Sequence, residues 1–90
     1  MLTPVYTTQF RRDLRKAEQR NRDMQKIKDA MLLLLNEEPL PPQYRDHALK
    51  GVWKHYRDLH LEPDWLLIYK IDGNECLFAR TGSHADIFSM

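Results

Sequence analysis

Ninety residues, 42% of them hydrophobic and 30% charged, are the makings of one small globular domain, and the length excludes two. The only cysteine, Cys76, rules out an internal disulfide and a cysteine-built zinc site. The fold therefore has to rest on its hydrophobic core, and a reducing, cytoplasmic setting is expected. The formal charge of +1 hides an uneven split, because residues 1–30 hold eight Lys/Arg against four Asp/Glu and the remainder six against nine. The amino terminus has neither the basic nor the apolar region of a signal peptide. The longest apolar run, residues 30–35, falls far short of the roughly 18 residues a membrane span needs.

In chain order, Leu2 to Tyr6 reads as a first strand, with Pro4 confining it to an edge. Thr7 or Thr8 can cap a helix running to about Arg20, with Phe10, Leu14 and Ala17 on one stripe. Asn21 and Asp23 supply a turn and a second cap. Met24, Ile27, Met31, Leu34 and Leu35 then repeat at helical spacing until Asn36. Pro39, Pro41 and Pro42 stop that helix by removing donors and forcing extended backbone. From Gly51 the pattern is one of strands: Val52–Leu61, Trp65–Ile71 and Glu75–Thr81, the last two joined by Asp72-Gly73-Asn74, where glycine supplies a tight hairpin's positive φ. The unbroken run from Trp65 to Tyr69 marks a central strand covered on both faces. The sum is an α+β domain of order β-α-α-β-β-β, with the helical hairpin on one face and a short final turn around Ile87 and Phe88.

Four histidines, His47, His55, His60 and His84, lie outside the helical hairpin among Asp46, Asp58, Glu62 and Asp64. If Trp53 to Leu61 is one regular strand, Lys54, Tyr56, Asp58 and His60 share a face and Trp53, His55, Arg57 and Leu59 the other. The turn Glu62-Pro63-Asp64 brings Asp64 toward His60, a carboxylate–imidazole pair suited to proton transfer near neutral pH. A surface histidine beside a turn aspartate is the plainer alternative. His84 overhangs the end of the last strand and His47 lies on the loop after the prolines. Either alone would be an ordinary polar residue, so a catalytic reading requires them to converge.

His47, His60, Asp64 and His84 are also metal-ligand types, but no His-x-x-x-His or Cys-x-x-Cys spacing fixes a coordination geometry, so no metal is expected. Lys50, Lys54, Arg57 and Arg80 are cations that can meet phosphate oxygens. Trp65 and Tyr69 belong to the core, whereas Tyr56 and Phe88 suit either packing or stacking on an RNA base. Arg11, Arg12, Arg15, Lys16, Arg20, Arg22, Lys26 and Lys28 form a basic helical region that attracts phosphate or is simply a solvated face.

Three ordered blocks go further: Asp46-His47-Ala48-Leu49-Lys50-Gly51-Val52-Trp53-Lys54, Tyr56-Arg57-Asp58-Leu59-His60-Leu61-Glu62-Pro63-Asp64-Trp65 and Arg80-Thr81-Gly82-Ser83-His84. Together they resemble the YafQ branch of the RelE/ParE toxin superfamily of bacterial type II toxin–antitoxin systems. Two positions depart from that pattern, Ala48 in place of proline and His55 in place of a frequent glycine. The resemblance implies a RelE-like antiparallel sheet with two helices on one face, and a ribosome-dependent endoribonuclease that cuts messenger RNA in the aminoacyl site. It also implies attack by the 2′-hydroxyl on the adjacent phosphorus without metal or other cofactor.

By motif match, His47, His60, Asp64, His84 and Phe88 inherit the active-site assignment. The roles implied are His84 as general acid, His60 with Asp64, or His47, on the base side, and Phe88 holding RNA. Arg57 is added as the cation for the phosphorane. Lys54, Arg80, Arg11, Arg12 and Lys16 are expected RNA contacts. The implied partners are a DinJ-like antitoxin, the 70S ribosome and its mRNA, with DNA reached only through the antitoxin complex and no membrane. The alternatives are a ParE-like gyrase-binding toxin and an RNA-binding module without cleavage.

Overall fold

The computed structural model describes residues 1–88. Its elements are β1 (Thr3–Tyr6), α1 (Thr8–Gln19), α2 (Met24–Leu35), β2 (His47–Ala48), β3 (Arg57–Glu62), β4 (Trp65–Asp72), β5 (Glu75–Gly82) and α3 (His84–Phe88). The strands form one five-stranded sheet in the order β1-β5-β4-β3-β2. β1 runs parallel to β5 and the other pairs are antiparallel, so the sheet is mixed where a wholly antiparallel one was expected.

Both caps form as expected: Thr7 Oγ1 accepts from the Phe10 amide at 2.9 Å and Asp23 Oδ1 from the Gln25 amide at 3.1 Å. The Thr7 hydroxyl also donates to the Ala79 carbonyl at 2.8 Å, tying the start of α1 to β5. Among the described residues, no helix is long and apolar enough to cross a membrane.

The sheet divides the interior unequally. Phe10, Ala17, Ile27, Ala30 and Leu34 of the helices pack with Leu59, Leu61, Trp65, Leu67, Tyr69, Cys76 and Phe78 on one face. The opposite face has a smaller buried group, Leu66, Ile68 and Ala79, covered by Leu49, Trp53, Tyr56, Ile87 and Phe88. That thinner cover explains the continuous apolar run of β4, whose alternate side chains serve the two clusters.

The expected strand from Val52 is cut short. Gly51–Trp53 make a 3₁₀ turn, and Gly51 and His55 take positive φ values of 68° and 79°, which no extended strand accommodates. Only Arg57–Glu62 pairs as a strand, bringing Asp58 and His60 to one face while releasing Lys54 and His55 to exposed turns. The expected helical stripe at Phe10, Leu14 and Ala17 is also modified: Leu14 is half-buried and the carboxylate of Asp13 is buried.

Candidate active site

Three separate pieces of chain bring their imidazoles together on the thinly covered face. His47 comes from β2, His60 from β3 and His84 from the first residue of α3. Ring centroids are 5.8 Å apart for His47 and His60 and 5.9 Å apart for His60 and His84; Phe88 continues the row at 6.3 Å from His84. The family resemblance implied one site for these residues while their spacing left convergence open, and the one partner expected, Asp64 for His60, goes elsewhere.

Asp64 serves His84 rather than His60. Its Oδ1 accepts both from the His84 backbone N–H at 2.9 Å and from ring Nδ1 at 2.7 Å. The β3–β4 turn points this carboxylate toward α3, which the sequence spacing did not convey. These bonds, backbone first, hold the Asp64 carboxyl below the usual carboxylate range. They also fix the proton of neutral His84 on Nδ1, leaving Nε2 without one.

α3 is one turn and owes its existence to its ends. Ser83 Oγ accepts from the Asp86 amide at 3.0 Å while Asp86 Oδ2 accepts from the Ser83 amide at 3.1 Å, a reciprocal capping box. Asp86 also faces Lys16 at 3.7 Å and Arg20 at 3.4 Å, joining α3 to α1. Ile87 and Phe88 pack onto Leu66, Ile68 and Ala79.

His47 is fixed differently. Its Nδ1–H donates to the Arg45 carbonyl at 2.8 Å, which leaves Nε2 without a proton in the neutral ring and facing Asp58 Oδ2 at 3.7 Å. Asp58 is 3% exposed, and its Oδ1 has no hydrogen-bond partner among the described residues, nor has His60 Nδ1. Burial pushes the Asp58 carboxyl up, opposed by the imidazoles of His60, His47 and His84. Such an under-satisfied carboxylate below three imidazoles is a mark of a functional site. The sequence showed Asp58 on the face of His60; only the convergence of the other histidines reveals its importance. His47, Asp58 and His60 are also the group whose ligand atoms, all within 4.8 Å of one another, could hold a metal ion.

Residues 2–89 match the family described as the bacterial toxin of the type II toxin–antitoxin system, YafQ. The chain belongs to the YafQ toxin family. It is 50% identical over 84 residues to the mRNA interferase toxin YafQ of Escherichia coli K12, covering 92% of this chain and 91% of that protein. It also matches YafQ in the crystal structure of the E. coli DinJ–YafQ complex, with TM-score 0.91, 47% identity and coverage of 98% and 99%. A metal-bound toxin from Helicobacter pylori matches with TM-score 0.92, 38% identity and coverage of 98% and 100%.

In this YafQ fold the expected cations do not gather at the imidazoles. Arg57 is on the helix-side face, where Nε and Nη2 donate to Asp46 Oδ2 at 3.1 and 2.9 Å; Asp46 raises its pKa further. Arg80 donates through Nε to Asp13 Oδ2 at 2.7 Å, and Asp13 also receives the Thr81 amide at 3.1 Å. Both guanidinium groups are thus spent on carboxylates the sequence left unpaired. Lys54 is exposed on its turn, away from the regular strand expected to carry it. On α1 of the YafQ fold, Arg11 stacks over Tyr6 at 5.3 Å, Lys16 faces Asp86, and Arg12 remains exposed. Cys76 is buried in the core with its thiol pushed up to about 11, a packing residue without nucleophilic character.

Proposed function

We propose that this YafQ-family toxin is a ribosome-dependent mRNA interferase that cleaves messages in the aminoacyl site by metal-independent acid–base chemistry. The observation that carries the reading is the row His47–His60–His84, with Asp64 fixing the tautomer of one end ring and the Arg45 carbonyl that of the other. Two oriented proton-transfer groups flanking a third imidazole suit a reaction in which one proton leaves and another is delivered.

His47 Nε2 takes the proton of the RNA 2′-hydroxyl as its oxygen bonds to phosphorus. His84, protonated with Nδ1–H on Asp64, gives its Nε2 proton to the departing 5′ oxygen as the P–O5′ bond breaks. A 2′,3′-cyclic phosphate and a 5′-hydroxyl result. His60, between the two, offers a ring N–H to the non-bridging oxygens, the role first expected of Arg57. Phe88 extends the row as a platform for an adjacent base.

Exposed Arg11, Arg12 and Lys16 supply an electrostatic contact to ribosomal RNA, and Lys54 adds a cation on the catalytic half. A DinJ-like antitoxin is the cognate partner, in keeping with the E. coli DinJ–YafQ complex. The reaction takes place in the cytoplasm.

The test is a defined message on purified ribosomes in magnesium, with toxin freed of transition metals by chelator and dialysed before mixing. Cyclic phosphate ends at the undiminished rate are expected, and His84→Ala, folded by circular dichroism, should lose at least about 100-fold in rate. Parental rates from folded His84→Ala, or activity of the stripped toxin that returns only on adding zinc or copper, refute the mechanism. Intact message with gyrase inhibited instead would favour a ParE-like toxin.

A further inference from the structure

His47 is held by surprisingly little strand. β2 has two residues, paired His47↔Asp58 and Ala48↔Arg57, and His47 itself is exposed. The Arg45 carbonyl holds the ring's Nδ1–H, but a ladder of two residues, below the usual strand length, leaves the backbone that carries the ring short of support. The residue before His47 supplies it.

Asp46 sits on the helix-side face of the sheet. It receives Nε–H and Nη2–H of Arg57 at 3.1 and 2.9 Å on Oδ2, and the hydroxyl of Tyr69 at 2.5 Å on Oδ1. Arg57 pairs in register with Ala48 on one side and Tyr69 on the other, so one carboxylate cross-links β2, β3 and β4. Tyr69 is 2% exposed, which makes the anchor point part of the rigid core. Successive residues in extended chain point to opposite faces, so holding Asp46 against one face sets where His47 emerges on the other.

We propose that Asp46, Arg57 and Tyr69 form a clamp that positions His47 for proton transfer, and that Arg57 acts through this clamp and not on the phosphate. The inference rests on the catalytic reading of His47 given above. None of the three touches the reacting atoms; they are positioning residues. Displacing a reacting group by about 1 Å can cost about 100-fold in rate, so loosening the clamp should show in the chemical step.

The experiment compares Asp46→Ala, Tyr69→Phe and Arg57→Ala in ribosome-dependent cleavage, each also in a His47→Ala background. Ring-proton NOEs between His47 and His60 report the geometry directly. Expected are losses in kcat of about tenfold or more, with KM within about twofold, and a weakened His47–His60 NOE in folded protein. With His47 already removed, the clamp substitutions should cost almost nothing, since residues acting in series are not additive. Tyr69→Phe removes one hydroxyl and keeps the core ring, which covers the case of an unfolded Asp46→Ala. The proposal is overturned if Asp46→Ala keeps or raises kcat while Arg57→Ala loses it, because a freed guanidinium would then be serving the phosphate. An undiminished penalty in the His47→Ala background also overturns it. If His47→Ala alone is silent, the catalytic reading of His47 fails, and the NOE decides the clamp: retained contact in Asp46→Ala refutes it and lost contact upholds it.

Discussion

Replacing Asp58 by Asn should make the protein more stable and less active. Asp58 is buried, its Oδ1 has no hydrogen-bond partner among the described residues, and its other oxygen faces His47 at 3.7 Å. An unsatisfied buried polar group costs about 1–3 kcal/mol. Asn keeps the shape and loses the charge but still buries an amide, so recovering roughly 1–2 kcal/mol is the reasonable expectation. In a domain of this size that corresponds to a rise in Tm of about 4–15 °C.

The gain has a pH signature. Burial raises the Asp58 carboxyl above the ordinary aspartate range, so the native state keeps the proton over a window where the unfolded chain has released it. The parent therefore loses stability as pH rises through that window, while the Asn variant does not. The imidazoles of His60, His47 and His84 oppose the effect of burial on this carboxylate, and Asp46 adds to it. The stability difference should be smallest where the unfolded chain's carboxyl is still protonated and should grow as pH rises through the raised range of the native carboxyl, measured by urea unfolding across the series. Cleavage should fall, because the charge facing His47 Nε2 is gone. A variant less stable than the parent at pH 8, or a difference independent of pH, would show that the carboxylate is fully compensated and the reasoning wrong.

Other substitutions probe the remaining features. Asp13→Ala strips Arg80 and the Thr81 amide of their buried acceptor and should cost about 3 kcal/mol in urea unfolding; a loss under about 1 kcal/mol would place the pair in effective contact with solvent. His55→Gly relieves a non-glycine residue at φ 79° and should stabilise by about 1 kcal/mol, with a drop in Tm as the contrary result. Reversing Arg11, Arg12 and Lys16 to Glu should weaken ribosome binding and flatten its salt dependence, and unchanged affinity at moderate salt would remove these cations from recruitment.

The sequence and structure part company where side chains choose between partners. Periodicity and capping chemistry located both long helices, because Thr7, Asp23 and the proline cluster act locally. The Gly73 turn is equally local, with φ 58° as a tight hairpin requires. Alternation failed between Val52 and Tyr56, where a polar–apolar rhythm coincided with two backbone positions that cannot be extended. The glycine that the family resemblance led one to expect in place of His55 was the available clue. Pairing was least legible of all. Spacing put Asp64 beside His60, whereas a one-turn helix brought His84 to it; Arg57 and Arg80 read as free cations because Asp46 and Asp13 lie 11 and 67 residues away. Such contacts depend on how strands stack and helices lean, which a one-dimensional pattern does not encode.

The unequal thickness of the two sides of the sheet bears on how the toxin fails. α3 rests on three buried side chains and a few surface charges, whereas the hairpin side holds most of the core. Local opening follows such differences in contact, so the turn bearing the proposed proton donor should open before the hairpin side does. Mild heat or denaturant should therefore disarm the enzyme while its sheet is still intact, and activity should return as soon as that last turn re-docks, without any need to refold the rest.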